Sequence, residues 1–292
     1  MDVISERIDN GSARTGRRIS SCCVFGLLIA GLLAGCGQER AEAHIAMLSD
    51  VDRSVRLDAS VSLVSLGGVT VEPLIEHARA GTDSLRYIAA QILGQIGDRR
   101  AAPFLLELLH TPNRYVREQA VRALGQLGDP GMGSALEQIL ANDTMPAVRG
   151  SAAWSLGNLR DTTAVAALVQ AQQDAETPVR QSALSALQFL WTPAAEAAAV
   201  AALLDRDETV RFLAAQLLGY HRTADAIDEL CRSLADSSLW VRVESARALG
   251  LIGDTSAVAP LEHLFAERQG PDHDEAKKVL GQLTGLEYAI AP

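Results

Sequence analysis

Residues 115–129 read YVREQAVRALGQLGD, and the rest of the chain repeats this block. SVRLDASVSLVSLGG stands at 54–68, SLRYIAAQILGQIGD at 84–98 and AVRGSAAWSLGNLRD at 147–161. PVRQSALSALQFLWT follows at 178–192, TVRFLAAQLLGYHRT at 209–223 and WVRVESARALGLIGD at 240–254. The shared arginines are Arg56, Arg86, Arg117, Arg149, Arg180, Arg211 and Arg242, spaced by 30, 31, 32, 31, 31 and 31 residues. An eighth copy, HDEAKKVLGQLTG at 273–285, places His273 in the arginine slot. Self-similarity at a fixed period of this size means stacked supersecondary units, a solenoid.

Each block reads as a helix. Apolar residues fall three, seven and ten positions after the arginine, as with Ala120, Leu124 and Leu127, and so form one helical face. Eight positions after it stands a small residue, Gly in Gly94, Gly125, Gly157, Gly219, Gly250 and Gly281. Glycine inside a helix costs about 1 kcal/mol against alanine, so its recurrence implies a neighbouring backbone at close range. Gly97-Asp98, Gly128-Asp129 and Gly253-Asp254 read as a helix stop followed by a cap. A further helix comes next, such as APFLLELLH at 102–110 or AIDELCRSL at 226–234. The loop after it carries an aspartate six residues before the next arginine, at Asp50, Asp143, Asp174, Asp205 and Asp236.

The unit resembles the HEAT-like repeat in its short form of about thirty residues, that of the bilin-lyase-type group. The resemblance covers essentially all of residues 40 to 285. It implies an all-α fold, a right-handed α-solenoid of about eight helix pairs with period 31. The arginine-bearing helices would line its concave side. It also implies that Arg56, Arg86, Arg117, Arg149, Arg180, Arg211 and Arg242, with Asp143, Asp174, Asp205 and Asp236, form a ladder between repeats. For activity the scaffold says little, because one fold hosts many functions. In the deoxyhypusine hydroxylase family, a related array, adjacent His-Glu pairs bind iron near the start of the arginine-bearing helix. The matching places here read Arg86-Tyr87-Ile88, Arg117-Glu118-Gln119, Arg242-Val243-Glu244 and His273-Asp274-Glu275, none with His followed by Glu.

Residues 22–35, CCVFGLLIAGLLAG, follow Arg17-Arg18 and are apolar. The run is shorter than the roughly twenty residues of a membrane-spanning helix, as expected of a signal-peptide core. Its end, Leu33-Ala34-Gly35-Cys36, is similar to a bacterial lipobox, which implies cleavage before Cys36 and acylation of that cysteine. The expected organisation is a signal peptide at 1–35, a lipidated tether at 36–40, the solenoid at 41–285 and a tail at 286–292. Gly37, rather than Asp, directs the expectation to the periplasmic side of the outer membrane in a Gram-negative envelope.

Of the 26 basic and 36 acidic residues, the first 35 positions hold four and three, which leaves a net charge of −11 downstream. An acidic solenoid repels nucleic acid, so no nucleic-acid partner is expected. Six scattered histidines and four cysteines, without HExxH, CxxC or paired spacing, give no expected metal, cofactor or disulfide framework. No nucleophile–base set or phosphate loop stands out. The chain is accordingly expected not to be an enzyme but a scaffold or adaptor, anchored through Cys36, that binds an unidentified protein or peptide. The alternative is an accessory or enzyme-like protein related to bilin lyases or HEAT-type hydroxylases. Positions one, five and nine after each arginine should face the groove. There Trp154, Phe189, Phe212 and Tyr220 gather in repeats four to six. These rings either form a binding surface or fill gaps between repeats.

Overall fold

The computed structural model describes residues 37–267 and 269–288. The signal-peptide and lipidation readings, Cys36 included, lie outside the described residues. No helix among those residues is long and apolar enough to cross a membrane.

Eight helix pairs follow one another. They are α1 (37–47) with α2 (Arg53–Leu66), α3 (Val71–Ala80) with α4 (Asp83–Ile96), α5 (Ala102–Leu108) with α6 (Arg114–Leu127), and α7 (Gly133–Asn142) with α8 (Pro146–Leu159). Then come α9 (Val165–Ala171) with α10 (Thr177–Leu187), α11 (Pro193–Ala202) with α12 (Glu208–His221), α13 (Ile227–Ser233) with α14 (Leu239–Ile252), and α15 (Val258–Glu267) with α16 (Pro271–Thr284). The chain is an all-α solenoid. Neighbouring second helices pack closely along most of the array, whereas successive first helices barely meet. The closer-spaced layer lies on the inside of the curve, so the arginine-bearing helices line the concave side.

Local chemistry sets the boundaries. Asp52, Thr82, Asn113 and Asp207 accept hydrogen bonds from backbone amides in the first turns of α2, α4, α6 and α12. Gly97, Gly128 and Gly253 end α4, α6 and α14 in the left-handed region. In α8 and α12 that place falls to Arg160 and Arg222, at φ 53° and 54°. The small residues eight past the arginine explain the close packing. A Cβ on Gly94, Gly157 or Gly219 would lie 2.8–2.9 Å from the Cα of Ala123, Ala186 or Ala248 on the next second helix.

This close approach fails between α2 and α4 and again between α10 and α12. In α10 and the turn after it the sequence places Gln188 in the slot that is glycine in six repeats and Val64 in the first, and α12 offers Leu217 where its neighbours offer alanine or serine. The two helices meet less closely than the second helices from α4 to α10 or from α12 to α16 do, and the buried core divides into two blocks there. Trp191 fills the seam by stacking on His221, with ring centroids 3.8 Å apart and planes within 3°.

Both ends differ from expectation. The first helix starts at residue 37, inside the segment read as tether, because Ala41, Ile45 and Leu48 are buried and draw in the turn before them. Part of the expected tail folds back: the Tyr288 hydroxyl donates to Glu262 at 3.1 Å and its ring meets Phe265 edge-on.

Candidate partner-binding face

The concave surface is assembled from the positions five and nine past each arginine, one helical turn apart on the same face. All of them are exposed except Ser185, which is half-buried. Trp154 on α8 is 44% exposed, Phe189 just beyond α10 is 50%, and Tyr220 on α12 is 67%. The guanidinium of Arg160 lies over the Phe189 ring at 5.9 Å. Phe212 departs from expectation. It sits one past the arginine and is half-buried, in a slot that ranges from buried at Gly150 and Val243 to exposed at Leu57 and Tyr87.

Beside Trp154 the face dips into a cavity of about 400 Å³ lined by Arg122, Gln126, Gly150, Ser151, Trp154 and Ser182. Gly150 supplies no side chain, which leaves the space open. Arg122 donates to Glu118 at 2.7 Å and to the Ser151 hydroxyl at 3.2 Å, so its charge is balanced where it stands. Farther along, Arg247 pairs with Glu244 at 2.6 Å and approaches Glu275 at 3.6 Å, and Lys278 pairs with Glu275 at 3.0 Å. Burial pushes the Glu244 carboxyl above its ordinary range against the pull of Arg247.

The arginine–aspartate geometry runs through five repeats. Arg117 holds Asp143, Arg149 holds Asp174, Arg180 holds Asp205 and Arg211 holds Asp236, each at 2.7–2.8 Å and each across to the next repeat. The same aspartates accept a second arginine on their backbone carbonyls: Arg149 on Asp143, Arg180 on Asp174, Arg211 on Asp205 and Arg242 on Asp236. Each aspartate therefore ties the arginine of the preceding repeat to that of its own. The Arg149 hydrogen bonds lower the Asp174 carboxyl. For Asp143, Asp205 and Asp236 burial works upward, but the arginine and a backbone amide outweigh it and leave these carboxyls below their usual range.

Arg56 and Arg86 are corrections to the ladder as expected. Among the described residues Arg56 donates only to the carbonyls of Asp50 and Val51, and Arg86 to Asp83 in its own helix and the carbonyl of Arg79. Ala80 and Thr111 occupy the places where a cross-repeat aspartate would stand. At the other end the sequence reading missed Asp272, which is buried and takes Arg242 at 2.7 Å from within α16. Its signal was position, one residue before His273 in the arginine slot. His221 was missed as well. It falls ten past its arginine, a slot that is leucine or isoleucine in the other seven repeats, and its Nε2 is buried without a partner among the described residues. Burial lowers its pKa, partly offset by the Gln188 carbonyl.

Among the described residues no three His, Cys, Asp or Glu side chains come together to hold a metal ion, so the residues present do not fit a hydroxylase-type iron site. Cys231 is half-buried, and burial raises its thiol pKa.

Comparison with known proteins gives three overlapping matches to the family model of HEAT repeats, at residues 71–145, 133–207 and 196–281. Phycocyanobilin lyase subunit alpha of Nostoc sp. is 32% identical over 99 residues, 34% of this chain and 33% of that protein. Deoxyhypusine hydroxylase of Eremothecium gossypii is 31% identical over 112 residues, 37% of this chain and 35% of that protein. The chain thus spans about a third of the length of these curated relatives. Among solved structures, that of E. coli YibA matches with a TM-score of 0.60 at 20% identity, over 92% of this chain and 99% of that one, which shows the fold. The relatives correct one expectation. The chain was read as no enzyme, yet these relatives are an enzyme and an enzyme subunit, at about 30% identity.

Proposed function

We propose that this chain, which belongs to the HEAT repeat family, binds a partner protein in its concave groove and serves there as a scaffold or as the holding subunit of a protein-acting enzyme. The observation that carries the proposal is the exposed group of Trp154, Phe189 and Tyr220 on the inner face, beside the cavity at Gly150. Exposed aromatic anchors rimmed by polar groups are where binding energy concentrates at protein interfaces. The lyase and hydroxylase relatives support the second half of the proposal, in which the held protein is modified. Sequence 22–36 supports a lipid anchor at Cys36 that keeps the groove at a bacterial envelope membrane.

The test replaces Trp154, Phe189 and Tyr220 together by alanine in the full chain and compares partner capture from cross-linked membranes with wild type. Loss of a stoichiometric partner with an unchanged helical spectrum supports the groove, and full retention removes it. A mass change of the captured partner on incubation with the chain supports modification. Acylation is read from the mass of the N-terminal peptide, which Cys36→Ser must abolish.

A further inference from the structure

We infer that the partner enters the groove as an extended polypeptide segment read through its main chain. This rests on the proposal that the concave face binds a protein and adds how the protein is held. The inner row carries little free charge, since Arg122 is balanced by Glu118 and Arg247 and Lys278 by Glu244 and Glu275. A strongly charged ligand of either sign finds no matching stripe. What the row offers instead is carboxamides: Gln91, Gln95, Gln126, Asn158, Gln216 and Gln282 occupy positions five or nine past the arginine and are exposed. Their side-chain amides hold no hydrogen bond to another group among the described residues.

A carboxamide both donates and accepts, as does every peptide unit of an extended chain, whereas lysine only donates and a carboxylate only accepts. Packed helices lie about 8–10 Å apart and an extended chain advances about 3.3 Å per residue, so one repeat corresponds to about three residues of ligand. The cavity between Gln126 and Trp154 then takes one bulky side chain, giving selectivity at that point and tolerance elsewhere. A helical ligand satisfies its own main chain and leaves the amide row unused. A linear glycan also pairs with amides, but it presents a ring at every step and needs aromatic planes along its whole length. Along positions five and nine the aromatic group is confined to α8–α12, while the amides run from α4 to α16.

The experiment pans a displayed library of random twelve-residue linear peptides on the full chain, with a linear-oligosaccharide array in parallel. Enriched peptides are titrated by fluorescence polarisation against wild type, the aromatic triple variant, and Gln91→Ala/Gln95→Ala/Gln126→Ala/Asn158→Ala. The inference expects non-helical peptides sharing one bulky apolar residue. It expects their affinity to fall at least tenfold on the amide variant, and at least tenfold when main-chain nitrogens beside the shared residue are methylated. Peptides lost on the aromatic variant but bound equally by the amide variant overturn the inference and leave the groove standing. Helical peptides, or oligosaccharide binders with no enriched peptide, also overturn it. Peptides unaffected by either variant remove the groove itself.

Discussion

Replacing Gly157 by alanine should destabilise the solenoid even though alanine is the better helix former. An added Cβ would lie 2.9 Å from both Cα and Cβ of Ala186 and 3.4 Å from its carbonyl oxygen. Carbon atoms rest comfortably about 3.5–4.0 Å apart, so α10 has to retreat from α8 by about 0.6–1 Å. The same two repeats are tied by Arg149 and Asp174 at 2.7 and 2.8 Å, and that link strains as the helices part. Overpacking of this kind costs about 1–3 kcal/mol, while the helix gains about 1 kcal/mol. The net expectation is a loss of up to about 2 kcal/mol, deepened by the strained ladder link. Gly281 provides the control, because it holds the same slot in the last repeat, where a Cβ meets only the Leu286 carbonyl at 3.5 Å. Gly281→Ala should therefore be neutral or stabilising by up to about 1 kcal/mol. Urea unfolding followed by circular dichroism at 222 nm measures both, with the slope checked for loss of cooperativity. Gly157→Ala as stable as wild type, or Gly281→Ala equally damaging, would refute the close-packing argument.

Other expectations follow from the ladder, the caps and the seam. Arg180 is 2% exposed, so Arg180→Leu leaves the largely covered Asp205 without its arginine and should cost about 3–5 kcal/mol in urea unfolding. The ladder carboxyls sit below their unfolded values, so their stabilisation is present above about pH 4 and lost as pH falls through the lower folded values. Wild type should weaken between pH 5 and 2 more steeply than Asp205→Asn; parallel profiles would contradict this. Arg222→Gly relieves a left-handed arginine and should raise stability by about 0.5–1 kcal/mol in thermal unfolding, with a decrease counting against strain at that cap. The His221 pKa lies below its unfolded value of about 6.5, so its contribution is present above that pH and fades below it. His221→Phe keeps a ring against Trp191 and should flatten the stability profile from pH 7 to 5, unless another group causes the slope.

The period carried most of the fold, because a solenoid repeats one local solution and each copy restates it. Ala120, Leu124 and Leu127 mark the buried face, and Gly157 marks the approach of the next helix. Exceptions to the period were harder to read. Arg56 and Arg86 fit the pattern by name, but a ladder needs the partner as well, and Ala80 and Thr111 supply none. Asp272 arrives from a helix rather than a loop, so spacing alone passed over it. The exposure of Phe212 depends on how far α12 stands from α10, a consequence of Gln188 and Leu217 meeting across one seam. That pairing was present in the sequence, yet only neighbouring helices seen together give it meaning. The aromatic group was legible as a concentration of Trp154, Phe189 and Tyr220, whereas the cavity at its side depends on what Gly150 lacks.

The most direct test of the concave-face account places a photo-cross-linking residue at Gln126 or Gln216 in the groove and, separately, at the exposed Glu76 on the outer helix α3. Irradiation in cells followed by mass spectrometry reads which position captures a partner. The account expects a protein adduct from Gln126 and Gln216, abolished when Trp154, Phe189 and Tyr220 are alanine, and none from Glu76. Adducts from Glu76 alone, or groove adducts indifferent to the three aromatics, would contradict it.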